Sequence, residues 1–233
     1  MSTGLDPAAV RAVLFDLDGT LVDTAPDLVA AVNAVLQAEG RAPLPDAALR
    51  PLVSKGGRAL LARAFPDLVA EERDAHLPAF LARYGEALAV HSQPFVGVEA
   101  LLRAIEARGW RWGIVTNKPE GLARGVVDAM GWTGRCGVLV GGDTLPVRKP
   151  DPAPLVLAAE HLGVVPGHCV YVGDDARDVE AGRAAGMPTI AALWGYRDGE
   201  RPDDWPAGAH PGEAGAGAVP VGWPGRAAGG AWA

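Results

Sequence analysis

From Pro94 onward the chain alternates short apolar runs with segments of helical period, and no other feature constrains its fold as strongly. Residues 110–116, 138–141, 169–173 and 189–193 read as strands, and 99–108, 122–130, 153–162 and 178–185 as the helices around them. A strand that reaches its neighbour through a helix must run parallel to it, with helices packed on the sheet faces. A further buried strand, Val-Arg-Ala-Val-Leu-Phe-Asp at 10–16, precedes the alternation. Between it and Pro94 the pattern is helical only. Thr24 and Pro26 open a helix with Leu28, Val29, Val32, Val35 and Leu36 on one face, Gly40 closes it, and helical pieces follow at 60–65 and 77–90. The expected fold class is α/β, a parallel-sheet core built from 1–22 and 93–207, interrupted by an all-helical module at 23–92. Eight Gly, eight Ala and three Pro fill 19 of the positions in 208–233, with no apolar period, so this tail is expected to be poorly ordered.

The length of 233 residues suits one α/β domain of about 150 residues with a smaller insert. Hydrophobic residues make up 49% and charged residues 21%, which excludes a wholly disordered chain. A net charge of −7 leaves no basic footprint for nucleic acid or an anionic membrane surface. No apolar run reaches the ~18 residues of a membrane span, and no basic-then-apolar leader opens the sequence, so a cytoplasmic protein is expected. Cys136 and Cys169 are too few for a disulfide framework and read as reduced. Only three of the 21 basic residues are lysines, and Lys55, Lys118 and Lys149 all fall in loops marked by Gly or Pro. Each is a candidate functional ammonium.

In an open parallel sheet, ligands bind beyond the carboxyl ends of the strands. The first strand delivers Asp16-Leu17-Asp18-Gly19-Thr20 there, a second Thr116-Asn117-Lys118-Pro119, and a third Gly173-Asp174-Asp175, while Arg148-Lys149-Pro150 precedes a helix at the same edge. Carboxylates gathered in this way repel one another unless a hard cation lies among them, and Mg²⁺ suits oxygen ligands. A carboxylate beside Mg²⁺ can attack phosphorus to form an aspartyl-phosphate, and an acid two residues further on can protonate the leaving oxygen. A hydroxyl and a lysine can neutralise the transferring phosphoryl oxygens.

Asp-Leu-Asp-Gly-Thr-Leu-Val-Asp, Val-Thr-Asn-Lys-Pro, Arg-Lys-Pro-Asp-Pro and Val-Gly-Asp-Asp-Ala-Arg-Asp resemble, in order, the four motifs of the haloacid dehalogenase superfamily. The resemblance covers roughly residues 10 to 205. It implies a Rossmann-like core with a helical cap inserted after the first motif. It further implies Asp16 as nucleophile, Asp18 as general acid and base, and Thr116 and Lys149 as phosphate ligands. Mg²⁺ would be held by Asp16, the backbone carbonyl of Asp18, and Asp174. Asp175 stays open between a ligand and a helix cap, and Asp178 is expected to orient Lys149 through an ion pair. His161, His168 and His210 show no metal-ligand spacing.

The cap is expected to hold selectivity. Its segment Ser54-Lys55-Gly56-Gly57-Arg58 is a glycine-containing loop opening onto a helix, where two cations and helix N-terminal amides favour an anionic or polyhydroxylated ligand. Ser54, Lys55, Gly56 and Arg58, with Asn117 and Lys118 from the core, are therefore the expected substrate-binding residues. Closure of such a lid would shield the chemistry from water. The Thr-Asn-Lys-Pro segment and the cap size resemble the phosphoglycolate phosphatase branch. Val90-His91-Ser92 ahead of Pro94-Phe95, with the fourth motif, also resembles N-acetylmuramate 6-phosphate phosphatases. A β-phosphoglucomutase-type isomerase is a further alternative, whereas a dehalogenase is disfavoured by Asp18. The expected partner is a small phosphorylated metabolite, with neither nucleic acid nor membrane, and the chain is expected to be a monomer or homodimer.

Overall fold

A computed structural model describes residues 8–196, 198, 199 and 205. Its strands, in chain order, are β1 (Ala12–Phe15), β2 (Val22–Asp23), β3 (Gln93–Pro94), β4 (Arg111–Val115), β5 (Leu139–Val140), β6 (Cys169–Gly173) and β7 (Thr189–Ala191). Five of them form one sheet in the order β5-β4-β1-β6-β7, every pair parallel. Its centre is β1, with Ala12 opposite both Arg111 and Cys169. All residues of β1 and β6 are buried, as expected of parallel strands covered on both faces.

Alternate residues of each strand feed opposite cores. Val13 and Phe15, with Trp112, Ile114, Val170 and Val172, pack under α6 (Val98–Ala107) and α7 (Glu120–Ala129). Ala12 and Leu14, with Val115, Cys169 and Tyr171, pack under α8 (Ala153–His161) and α9 (Ala176–Ala184). The sheet strands lie where the apolar runs placed them, and several end a residue or two inside the predicted bounds. Past Ala191 the predicted last strand leaves the sheet, and Trp194 Nε1 donates to the Thr20 carbonyl at 3.0 Å.

The helical insert comprises α1 (Ala25–Ala38), α2 (Asp46–Leu49), a 3₁₀ turn at Arg50–Lys55, α3 (Gly57–Ala64), α4 (Ala70–Ala75) and α5 (Leu77–Glu86). The predicted face of α1 packs with Leu49, Leu61, Phe65, Phe80 and Tyr84 into a separate apolar cluster. The periodicity did not disclose the two-residue ladder in which β2 and β3 pair antiparallel, Asp23 opposite Gln93. Two residues are too few to show a period.

That ladder joins the two connections between insert and core, and Asp27 clamps it. Its buried carboxylate accepts from the His91 amide at 2.9 Å, the Ser92 amide at 2.8 Å and Ser92 Oγ at 2.5 Å. The Val90-His91-Ser92 segment singled out in the sequence therefore serves the connection. Asp27→Ala strands these donors, of which the Ser92 amide and hydroxyl are buried. It is expected to cost about 2–3 kcal/mol, lowering the thermal midpoint by roughly 5–10 °C in a scanning calorimetry comparison. A change under about 2 °C would show the clamp to be dispensable.

Cys136 and Cys169 are free thiols, as read from the sequence. No helix among the described residues is long and apolar enough to cross a membrane. The tail at 208–233 lies outside the described residues.

Candidate active site

Because β1, β4 and β6 run parallel and in register, the residues that follow them emerge at one edge of the sheet. Asp16 follows β1, its amide donating to the Val172 carbonyl at 2.9 Å. The chain then turns tightly, the Leu17 carbonyl accepting from Leu21 and Val22 at 3.0 Å. Gly19 makes this possible. Its φ is 83°, and a Cβ there would lie 2.1 Å from Asp174 Oδ2, so a side chain is excluded both by conformation and by the acid behind it.

Lys149 is the hub of the site. It is 3% exposed, and its Nζ lies 2.9 Å from Asp16 Oδ1, 2.7 Å from Asp178 Oδ1 and 2.7 Å from the Tyr171 hydroxyl. Burial alone would depress the ammonium, but the charges of Asp16 and Asp178 outweigh it and raise its pKa, so it stays a cation. Tyr171 in turn donates to the Val115 carbonyl at 2.8 Å. Asp178 thus pairs with Lys149 as expected. Asp175 is resolved as a helix cap: its carboxylate accepts from the Arg177 amide at 3.0 Å at the start of α9.

One carboxylate oxygen each from Asp16, Asp174 and Asp178 lies within 4.8 Å of the others, and all three residues are buried. The Asp16 carboxyl is pushed up to about 6. Burial is the main cause, Lys149 works against it, and the charges of Asp178 and Asp18 push further upward. Asp174 is raised well above the usual carboxylate range, first by burial and then by Asp16 and Asp178. Crowded carboxylates offering only oxygen donors fit a hard divalent cation, so a metal ion is suited to this cluster.

Asp18 is not in that trio. Its carboxylate accepts from Thr24 Oγ1 at 2.6 Å and Lys118 Nζ at 2.9 Å. Thr116 follows β4, 4% exposed, with its hydroxyl accepting from the Lys118 amide at 3.2 Å. The Asn117 side chain donates from Nδ2 to the Lys149 carbonyl at 2.9 Å, tying the second motif to the third.

The insert reaches over this edge. Ser54 Oγ donates to Asp174 Oδ2 at 2.7 Å, Lys55 lies 3.2 Å from Asp175, and Arg177 Nη2 donates to the Ser54 carbonyl at 2.5 Å. Gly56, at φ 88°, precedes α3. Arg58 pairs through Nε with both carboxylate oxygens of Asp74 on α4 at 3.0 Å, an ion pair within the insert. The sequence showed two cations in this loop but not that Asp175 and Asp74 fold against them. These four residues line a cavity of about 210 Å³ together with Asp16, Asp18, Thr116, Asn117 and Lys118. Lys149 and Asp174 are almost wholly buried and touch its lining through Asp16 and Ser54.

Tyr171, Arg177 and Tyr196 were not visible as site residues in the sequence. Tyr196 donates its amide to Asp174 Oδ2 at 2.8 Å, while its phenol donates to Asp23 Oδ1 at 2.5 Å and accepts from the Ala25 amide at 2.9 Å. It links the acid cluster to the connection of the insert. Only its place one strand after the fourth motif could have pointed to it.

Residues 10–186 match the family model of the haloacid dehalogenase-like hydrolases. A phosphoglycolate phosphatase of Xylella fastidiosa strain Temecula1 is 56% identical over 198 residues, covering 84% of this chain and 86% of that protein. An N-acetylmuramic acid 6-phosphate phosphatase of Pseudomonas aeruginosa strain PAO1 is 45% identical over 199 residues, covering 85% and 87%. The crystal structure of a predicted phosphoglycolate phosphatase from Haemophilus somnus 129PT superposes with a TM-score of 0.75 at 28% identity, covering 84% of this chain and 90% of that one. The chain belongs to the haloacid dehalogenase-like hydrolases, with their parallel-sheet core and helical cap. Within that family it is a phosphatase.

Proposed function

We propose that this phosphatase hydrolyses 2-phosphoglycolate to glycolate and phosphate through an aspartyl-phosphate on Asp16, with Mg²⁺ as cofactor. The observation that carries the mechanism is the contact of Lys149 with Asp16 beside the buried acid trio. The substrate reading is supported by relatives at 56% and 57% identity that are phosphoglycolate phosphatases.

Asp16 Oδ1 is engaged by Lys149 and by the Leu17 amide at 2.8 Å, which leaves Oδ2 to attack phosphorus as the ester P–O bond breaks. Asp18, steadied by Thr24 and Lys118, gives a proton to the departing oxygen. It then takes one from the water that cleaves the aspartyl-phosphate, releasing phosphate and restoring Asp16. Thr116 and Lys149 hold the phosphoryl oxygens. Asp16, Asp174 and the Asp18 carbonyl would hold Mg²⁺, which when bound offsets the negative charge of the transferring phosphoryl group. The helical block 23–92 acts as the cap, its Ser54–Arg58 loop with Asn117 and Lys118 facing the substrate beyond the phosphate.

A phosphate-release panel tests the substrate. With Mg²⁺ present, kcat/KM for 2-phosphoglycolate is expected to exceed that for N-acetylmuramate 6-phosphate and β-glucose 1-phosphate by at least about tenfold, equivalent to ~1.4 kcal/mol of transition-state binding. A higher value for N-acetylmuramate 6-phosphate would replace the glycolate reading with the amino-sugar one.

A further inference from the structure

Three buried side-chain polar atoms among the described residues make no close hydrogen bond: Tyr84 Oη, Asn117 Oδ1 and Trp205 Nε1. The Lys118 ammonium approaches Tyr84 Oη as a donor and leaves the phenolic O–H without an acceptor. Trp205 lies apart, packed with Val179. The other two belong to residues that line the active-site cavity, Tyr84 from the cap and Asn117 from the core. Buried polar groups are rarely left unmet in a folded protein, and two on the walls of one cavity point to a ligand that meets them.

Tyr84 stands on α5, 1% exposed. The Lys118 ammonium lies 4.3 Å from its ring centroid and itself donates to Asp18. An ammonium has no acceptor to offer, so the phenolic proton beside it goes unused in the free protein. Burial raises the phenol above its ordinary pKa, with Lys118 working the other way, so the proton is present at neutral pH. If Asp18 protonates the leaving oxygen, Tyr84, across Lys118 from Asp18, faces the part of the substrate beyond that oxygen. A spare O–H donor next to an ammonium suits an oxyanion.

We propose that Tyr84 is a substrate-binding residue supplied by the cap, its phenolic O–H donating to the carboxylate of the acid whose phosphate is cleaved. This rests on the 2-phosphoglycolate reading above. Tyr84→Phe is the direct test, because it keeps the ring, its packing and the ring's contact with the Lys118 ammonium and removes the hydroxyl. In the full-length protein the expected result is a loss of about tenfold in kcat/KM for 2-phosphoglycolate, chiefly through KM. The same variant should hydrolyse p-nitrophenyl phosphate, which has no carboxylate, within about twofold of the wild type. Glycolate should also weaken about tenfold as an inhibitor of the aryl phosphate reaction, while inorganic phosphate inhibits as before. Tyr84→Met carries the same comparison should the phenylalanine protein fail to fold. Equal losses on both substrates, or no loss on either, would overturn the assignment while leaving the substrate reading intact. A wild-type enzyme that hydrolyses the aryl phosphate but not 2-phosphoglycolate would overturn the substrate reading itself, and the Tyr84 assignment with it.

Discussion

Asp16→Asn is expected to lower turnover on the order of 10⁴-fold or more, because the amide keeps the shape of the side chain and loses the attacking charge. Its effect on stability should run the opposite way. The Asp16 carboxyl titrates near 6 in the folded protein, against an ordinary 3.8. Between those values the folded state holds a proton that the unfolded state has released, so stability falls as pH rises through this window, and the deficit is complete above it. Raising the carboxyl from 3.8 to about 6 corresponds to ~3 kcal/mol at neutral pH, and asparagine removes it. In chelator at pH 7.5 the variant should therefore melt roughly 5 °C or more above the wild type, and the gain should vanish below about pH 4. Millimolar Mg²⁺ should then stabilise the wild type more than the variant, since it binds the charged cluster. Turnover close to the wild type would remove Asp16 as nucleophile, and a lower melting point in chelator would contradict the charge crowding.

Lys149→Ala should be the most damaging single change to both fold and site. The ammonium is 3% exposed and is the shared cationic partner of Asp16 and Asp178. Its removal strands two buried carboxylates beside a third, Asp174, at a cost of about 3–5 kcal/mol or roughly 10 °C, with loss of activity. The pH dependence identifies the cause. Without the ammonium, which holds the Asp16 carboxyl down against its burial, that carboxyl rises further, so the variant should regain stability as pH falls from 8 toward 5 while it takes up a proton. A deficit that stays constant over that range would point to lost packing, not to stranded charge. Lys149→Met retains most of the stem and separates the two further, because it should recover packing but not the charge deficit.

The course of the chain was legible in the sequence wherever periodicity was strong. The apolar runs at 10–16, 110–116 and 169–173 could only be buried strands, and the helices between them forced those strands parallel. Parallel register then placed Asp16, Thr116 and Asp174 at a common edge. Order and strand ends alone thus gathered these residues at one edge, while the pairing of Asp178 with Lys149 was expected alongside the resemblance to the haloacid dehalogenase motifs and is present in the fold.

What depends on contacts between segments distant in the chain was decided only by the tertiary structure. Local pattern cannot show that Lys55 lies against Asp175, that Asp74 binds Arg58, or that Asp27 gathers the amides of His91 and Ser92. Nor can it show that Tyr84 lines the cavity or that the Tyr196 phenol donates to Asp23. Backbone periodicity is a local property repeated along one element. The partner of a side chain is a property of two elements that meet only after the chain has folded, and in this protein those meetings set the charge balance of the acid cluster and the lining of the cavity above it.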